Sequence, residues 1–395
     1  MPDANMSPLA LARRQVDLDR LATARVPLLF ARKQDRMRRT AHAFFRGCAP
    51  LFYEVLAARP ALAEGPPGLG GIVGDMHLEN VGAFRAESGA VVFDLNDFDD
   101  ATIGPWRADV LRLAVSTLLA VRSLRPAGED AVHAVDTMIR KWRDGVSGNP
   151  GPPRPREVEA LLRRAERRTD EDLLAGRAPE RDGRRSFARG ERYFDLPSDV
   201  SSQVPGLLGR YVRSLGERAP KRAADWRVDD AAWRVAGTGS LGVLRIAILV
   251  SRDDRSRDRL FDLKESRDSS VHRAYAAVAP APAVRAVSVV ETARALLTDP
   301  PRLLAAVEDA PGFVGRRLFP QEDKLALEDG VQSPEDLARE VGWILGRAHR
   351  RAATAPPPQA WSDADLAAIV DEAIELAGLF ESIYLAYCRL PAAPP

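Results

Sequence analysis

Between Trp233 and Lys264 the apolar residues stop recurring at helical spacing and begin to alternate. Val235 leads into Gly237-Thr238-Gly239-Ser240-Leu241-Gly242, and Val243, Leu244, Ile246, Ile248, Leu249 and Val250 follow. A period of two with many β-branched residues predicts a strand, a tight loop and a second strand. Ser251 to Arg259 reads as a polar turn, Leu260 to Lys264 as a third strand, and Phe313 to Leu318 as another. A glycine-rich hexapeptide followed by a helix would fit a dinucleotide turn. Here the residues after it are strand-forming, which favours a hairpin lid whose backbone amides approach phosphate oxygens. A plain flexible hairpin is the alternative.

Most of the remaining chain has helical periodicity. Leu9, Leu11, Val16, Leu18 and Leu21, then Ala43, Phe44 and Leu51, mark helices up to about Pro60. A helix opening at Pro105 carries Val110, Leu111, Ala114, Val115, Leu118 and Leu119 and is expected to stop at Pro126. Ser333-Pro334-Glu335 starts another, and Ser362 caps the last. The short run Gly71-Ile72-Val73 and a hairpin over Val81 to Val92, turning at Glu87-Ser88-Gly89, are the other extended pieces. These features predict an α+β chain. The expected divisions are 1–150, a helical part with polar loops; 151–228, an Arg-rich helical insertion after the Gly148 to Pro155 linker; 229–325, a small β-rich lobe; and 326–395, C-terminal helices.

Composition excludes several classes. With 395 residues, 45% apolar and 29% charged, the chain is long enough for a bilobal globule. A net charge of +1 gives no reason to expect nucleic acid or a membrane surface as partner. Two cysteines, Cys48 and Cys388, supply neither a disulfide framework nor a structural zinc site. No apolar run approaches ~18 residues and the first residues do not resemble a signal peptide, so a cytoplasmic location is expected. Lysine is rare: five lysines stand against fifty-two arginines. A lysine where chemistry asks for one is thereby informative.

Two polar segments carry the candidate chemistry. In Gly74-Asp75-Met76-His77-Leu78-Glu79-Asn80, Asp75 can serve as a general base, with His77 beside it, and Asn80 can offer a neutral oxygen to a metal. In Asp94-Leu95-Asn96-Asp97-Phe98-Asp99-Asp100, four acids in seven positions repel one another unless cations neutralise them, so Asp94, Asp97 and Asp99 are metal-ligand candidates. Polar turns and a solvated acidic loop are the alternatives. Lys264 closes the strand after the glycine loop and is placed to contact phosphates; a snorkelling edge lysine is the alternative. The surroundings of His42, His133, His272 and His349 show no metal spacing, and Arg46 interrupts the aromatic stripe Phe44-Phe45.

Phe44-Phe45-Arg46-Gly47, Gly74 to Gly82, Phe93 to Asp100 and Gly237 to Gly242 together resemble the bacterial family "domain of unknown function 2252" over most of the chain. More distantly, Gly74 to Asn80 resembles the catalytic loop of aminoglycoside phosphotransferases and choline kinases. Asp97 to Ala101 with Gly104-Pro105 and Asp109-Val110 resembles their metal-aspartate segment and the helix after it. Ile344 to Ala352 resembles the helix that precedes their catalytic loop. The resemblance implies a protein kinase-like bilobal fold in circularly permuted order, with ATP and Mg2+ as cofactors and a small-molecule hydroxyl as acceptor. It implies that Asp75 is the base, that Asn80 and Asp97 (rather than Asp94) hold the metal, and that the glycine loop and Lys264 hold phosphates. It also calls for a glutamate paired with Lys264, for which Glu291 is the candidate. Val73 stands where these kinases commonly have a histidine. A nucleotide-binding pseudokinase, or a metal-dependent hydrolase using the acid cluster and His77, are the other readings. Oligomeric state is not readable.

Overall fold

The computed structural model describes residues 6–124, 127–252, 258–276, 285–325, 327, 331, 333–355 and 361–392. The chain forms a mixed α+β fold of helices and antiparallel sheets. The helix end expected at Pro126 lies outside the described residues.

The alternating segment forms the main sheet. Six strands lie in the order Ala305–Val307, Phe313–Leu318, Arg259–Glu265, Arg245–Ser251, Arg227–Arg234 and Tyr193–Phe194, with every described pairing antiparallel. One face buries Ile246, Ile248, Phe261 and Leu263 against Leu207, Leu208 and Tyr211 of the Ser198–Ser214 helix. The opposite face carries Lys264, Asp262 and Leu260, as a period of two requires.

The helical part has a different centre. Trp106–Leu124 is buried on all sides over Trp106 to Val121 and packs with Gly128–Ser147, Pro334–Arg351 and Asp363–Arg389. It is hydrophobic around most of its circumference, as a core helix must be. Two small sheets flank it. Leu69–Ile72 pairs with Thr102–Pro105, and the hairpin Val81–Arg85/Val91–Leu95 takes Asp323–Lys324 as a third strand. That third strand is where the chain passes from the main sheet back to the helices. Helices at both chain ends pack on each other: Pro8–Thr23 lies against Asp363–Arg389.

The Arg-rich segment differs from the solvated helical insertion expected of it. Its helices, Arg156–Glu166 and Asp170–Arg177, do expose their charges, but Leu174, Ala178 and Phe187 are buried against the Lys264 face of the main sheet. Among the described residues, no helix is long and apolar enough to cross a membrane.

Candidate functional site

The loop between Ile72 and Val81 is held from below by one stripe of the Trp106–Leu124 helix. Asp109 accepts the backbone N–H of Val73 at 2.7 Å and of Gly74 at 2.8 Å. Arg112 donates from Nε (2.9 Å) and Nη2 (2.6 Å) to Asp75 Oδ1. The Ser116 hydroxyl accepts the N–H of Leu78 at 3.1 Å. These positions are i, i+3 and i+7, one helical face, so a single rigid element sets the whole loop. Gly74 has φ +80°, and a Cβ there would meet the Asp100 carbonyl oxygen at 2.4 Å. The base loop and the acidic loop are thus in backbone contact.

Asn80 fastens the two loops together. Its Nδ2 donates to the carbonyls of Asp75 (3.0 Å) and Asp97 (3.2 Å). Its Oδ1 is buried and has no hydrogen-bond partner among the described residues. An amide oxygen left so is costly unless something electropositive meets it. His77 is also buried with Nδ1 unpartnered, and burial, then Arg46, hold it well below the usual histidine range. It is a neutral imidazole at physiological pH.

The sequence-distant lid and lysine reach the same place. The Gly239 Cβ position lies 3.7 Å from Asp75 Oδ2, and Lys264 Nζ pairs with Asp99. Asp75, His77, Asn80, Asp97, Asp99, Gly237 to Ser240 and Lys264 line one cleft of about 590 Å³. Leu241 instead packs in the apolar layer under the sheet, and Gly242, at φ +88°, turns the chain against the Ala22 carbonyl. Helices before residue 38 latch this lid: Arg36 donates to the Gly237 carbonyl and Arg25 pairs with Glu265.

Two expected members are elsewhere. Asp94 is buried and bonded to Arg347 at 2.7 Å, outside the cleft lining; burial raises it and the arginine only partly offsets this. Strand alternation explains this, because Asp94 pairs with Gly82 inside the hairpin while Asp97 lies beyond the strand end. Glu291 is on the exposed side of the Arg285–Leu296 helix and does not meet Lys264, whose partner is Asp99. At that helix's start Arg285 donates to the carbonyls of Asp99 and Ala101, pinning the acidic loop instead.

Several site residues escaped the sequence reading. Lys324 lies 3.9 Å from Asp97, and Lys33 pairs with Asp19 at 2.9 Å where both are buried. With Lys264, three of the five lysines line the cleft. The scarcity already noted would have singled them out. Arg112, with Asp109 and Ser116, was readable as a polar stripe in an otherwise apolar helix.

Charges follow the geometry. Burial raises Asp75 above the usual carboxylate range and Arg112 only partly opposes it. Burial also works on Asp97, but Lys264 and Lys324 outweigh it and hold that carboxylate low. Burial pushes Lys264 down to about 8, with Asp97 countering. The cleft therefore has an ionised Asp97, a more basic Asp75 and a lysine near its titration point.

A family model described as an uncharacterised protein conserved in bacteria, DUF2252, matches residues 25–150 and 151–388. The chain belongs to this family. No curated protein and no solved structure matches it. The DUF2252 blocks around Arg46, Asp75, Asp97 and Gly239 all border the one cleft. Arg46 itself pairs with Glu79, whose other oxygen accepts the N–H of Leu327 at 2.9 Å.

Among the described residues no three His, Cys, Asp or Glu side chains form a metal cluster. A zinc-type centre has no basis here. Magnesium needs less: one or two protein oxygens, with substrate phosphates and water completing its shell. The unpartnered Asn80 Oδ1 and the ionised Asp97 fit that demand.

Proposed function

We propose that this protein is a Mg2+-dependent phosphotransferase that moves the terminal phosphoryl group of ATP to a hydroxyl of a small molecule. The fold would be protein kinase-like and bilobal, in permuted order: lid, lysine, linking helix and sheet exit come late in the chain, base loop and metal loop early. The observation that carries the reading is the meeting of Gly239 with Asp75 and of Lys264 with Asp99 across one cleft, from segments more than a hundred residues apart.

Asn80 and Asp97 would hold the ion, which supplies positive charge to the phosphate oxygens as negative charge builds there. Lys264 and the backbone amides of Gly237 to Ser240 neutralise and orient the rest of the phosphate chain. Arg112 engages Oδ1 of Asp75, leaving Oδ2 toward the lid for the acceptor hydroxyl. Desolvation makes that carboxylate a stronger base than an exposed aspartate. The acceptor oxygen forms its bond to phosphorus as the bond to the bridging oxygen breaks, the electron pair leaving on that oxygen. The acceptor proton passes to Asp75. Charge neutralisation and alignment supply the rate, with no covalent intermediate on the protein. A small acceptor suits a cleft of this volume.

Two measurements test this. Mg-ATP should stabilise the folded protein, and Lys264→Ala should remove that effect; a hydrolase working from the acid cluster would ignore the lysine. Labelled ATP turned over against a metabolite library, with turnover lost in Asp75→Asn, separates catalysis from binding without turnover.

A further inference from the structure

We propose that the phosphoryl donor is gripped by its phosphate chain alone and that its base, where it has one, goes unread; this rests on the phosphotransfer reading above. The donor class is then a magnesium-bound triphosphate, nucleoside or inorganic.

The argument starts from the sheet face that bears Lys264. Antiparallel register sorts that face into rows running away from the cleft. The first row is Arg245, Lys264 and Val314; the second is Ala247, Asp262 and Arg316; the third is Leu249, Leu260 and Leu318. Only Lys264 and Val314 of these line the cleft. A planar base beside the phosphate site needs an apolar slot with a few polar edges, and the second and third rows are where this sheet has apolar surface to give.

Both rows are already covered. Leu174, Ala178, Phe187 and Tyr193 pack on Ala247, Leu249, Leu260 and Leu318. Asp262 lies 3.0 Å from Arg234, pairs also with Arg245, and has Arg316 at 3.9 Å, which in turn meets Glu322 at 3.3 Å. Three guanidinium groups against two carboxylates leave this end wall net positive, which suits a phosphate chain better than a neutral ring. The Arg-rich segment also closes the polar edge. Arg168 donates to the Glu322 carbonyl at 3.3 Å, and its own carbonyl accepts from Gln321 at 2.8 Å. Among the described residues, no Phe, Tyr or Trp lines the cleft to stack a base.

The test compares dissociation constants of ATP, GTP, CTP and inorganic tripolyphosphate, each with Mg2+, for the full chain and for Lys264→Met. All four are expected to bind within about tenfold of one another and all four to weaken together in the variant. An ATP affinity more than about tenfold above that of tripolyphosphate overturns the inference and leaves the phosphotransfer reading standing. Failure of all four to bind, or binding indifferent to Lys264→Met, overturns both.

Discussion

His349 Nε2 lies 3.1 Å from Asp109 Oδ2, although 240 positions separate them. Trp142 Nε1 donates to His349 Nδ1 at 3.0 Å, so that nitrogen accepts and Nε2 carries the proton given to Asp109. The carboxylate that holds the base loop is thus oriented by a residue from the far end of the chain. Both side chains are fully buried. Asp109→Ala strands the N–H groups of Val73 and Gly74 and the histidine donor in a dry core. The expected loss is about 3–5 kcal/mol, read as a lower urea midpoint with unchanged slope.

Lys264 exchanges stability for binding. Folded, it loses its proton near pH 8, against 10.5 for the free side chain. Between those values the unfolded state holds more protons, so stability rises with pH across that window, and below it the whole cost of the buried cation is present. Lys264→Met is expected to be more stable than the parent at pH 7, by up to about 3 kcal/mol, while losing triphosphate binding. Thermal melts at pH 7 and pH 10 check the first half; the advantage should shrink at the higher pH.

Arg112 sets how basic Asp75 becomes. It opposes the upward push of burial, so Arg112→Met should raise the Asp75 pKa further, while Arg112→Lys should raise it less. The acid limb of the pH–rate profile for ATP turnover is expected to move to higher pH in that order. An unmoved limb would assign the base to another residue.

Asn80→Ala removes the unpartnered amide oxygen together with two hydrogen bonds to carbonyls. Stability without magnesium should fall by roughly 1–3 kcal/mol. The stabilisation that Mg2+ adds in the presence of ATP should disappear, which isothermal titration of the metal measures directly.

Gly74→Ala should be poorly tolerated. The left-handed backbone disfavours a side chain, and the Cβ would press on the Asp100 carbonyl at 2.4 Å. A loss of roughly 2–4 kcal/mol is expected, with the acidic loop displaced.

The sheet was the most legible part of the fold. Alternation from Trp233 to Lys264 and from Phe313 to Leu318 predicted strands found at Arg227–Arg234, Arg245–Ser251, Arg259–Glu265 and Phe313–Leu318. Caps at Ser333 and Ser362 were equally local and correct, because a capping side chain bonds within its own first turn. Asp94 and Glu291 misled because the face a residue presents depends on register and on helix rotation, which tertiary packing fixes. The Arg-rich segment misled for another reason. Its few apolar residues, Leu174, Ala178 and Phe187, are spread between charges, and only the sheet beneath them gathers them into one layer.

The latch between the early helices and the lid has a further consequence. Ala22, Arg25 and Arg36 touch the glycine loop or its flanking strand, so motion of that loop cannot be independent of the first two helices. Whatever admits a substrate must also shift those helices against the Asp363–Arg389 helix on which they rest. Entry to the cleft is in this way governed from the molecule's opposite ends, where a bound partner or a shortened terminus would set the rate of opening without touching a reacting atom.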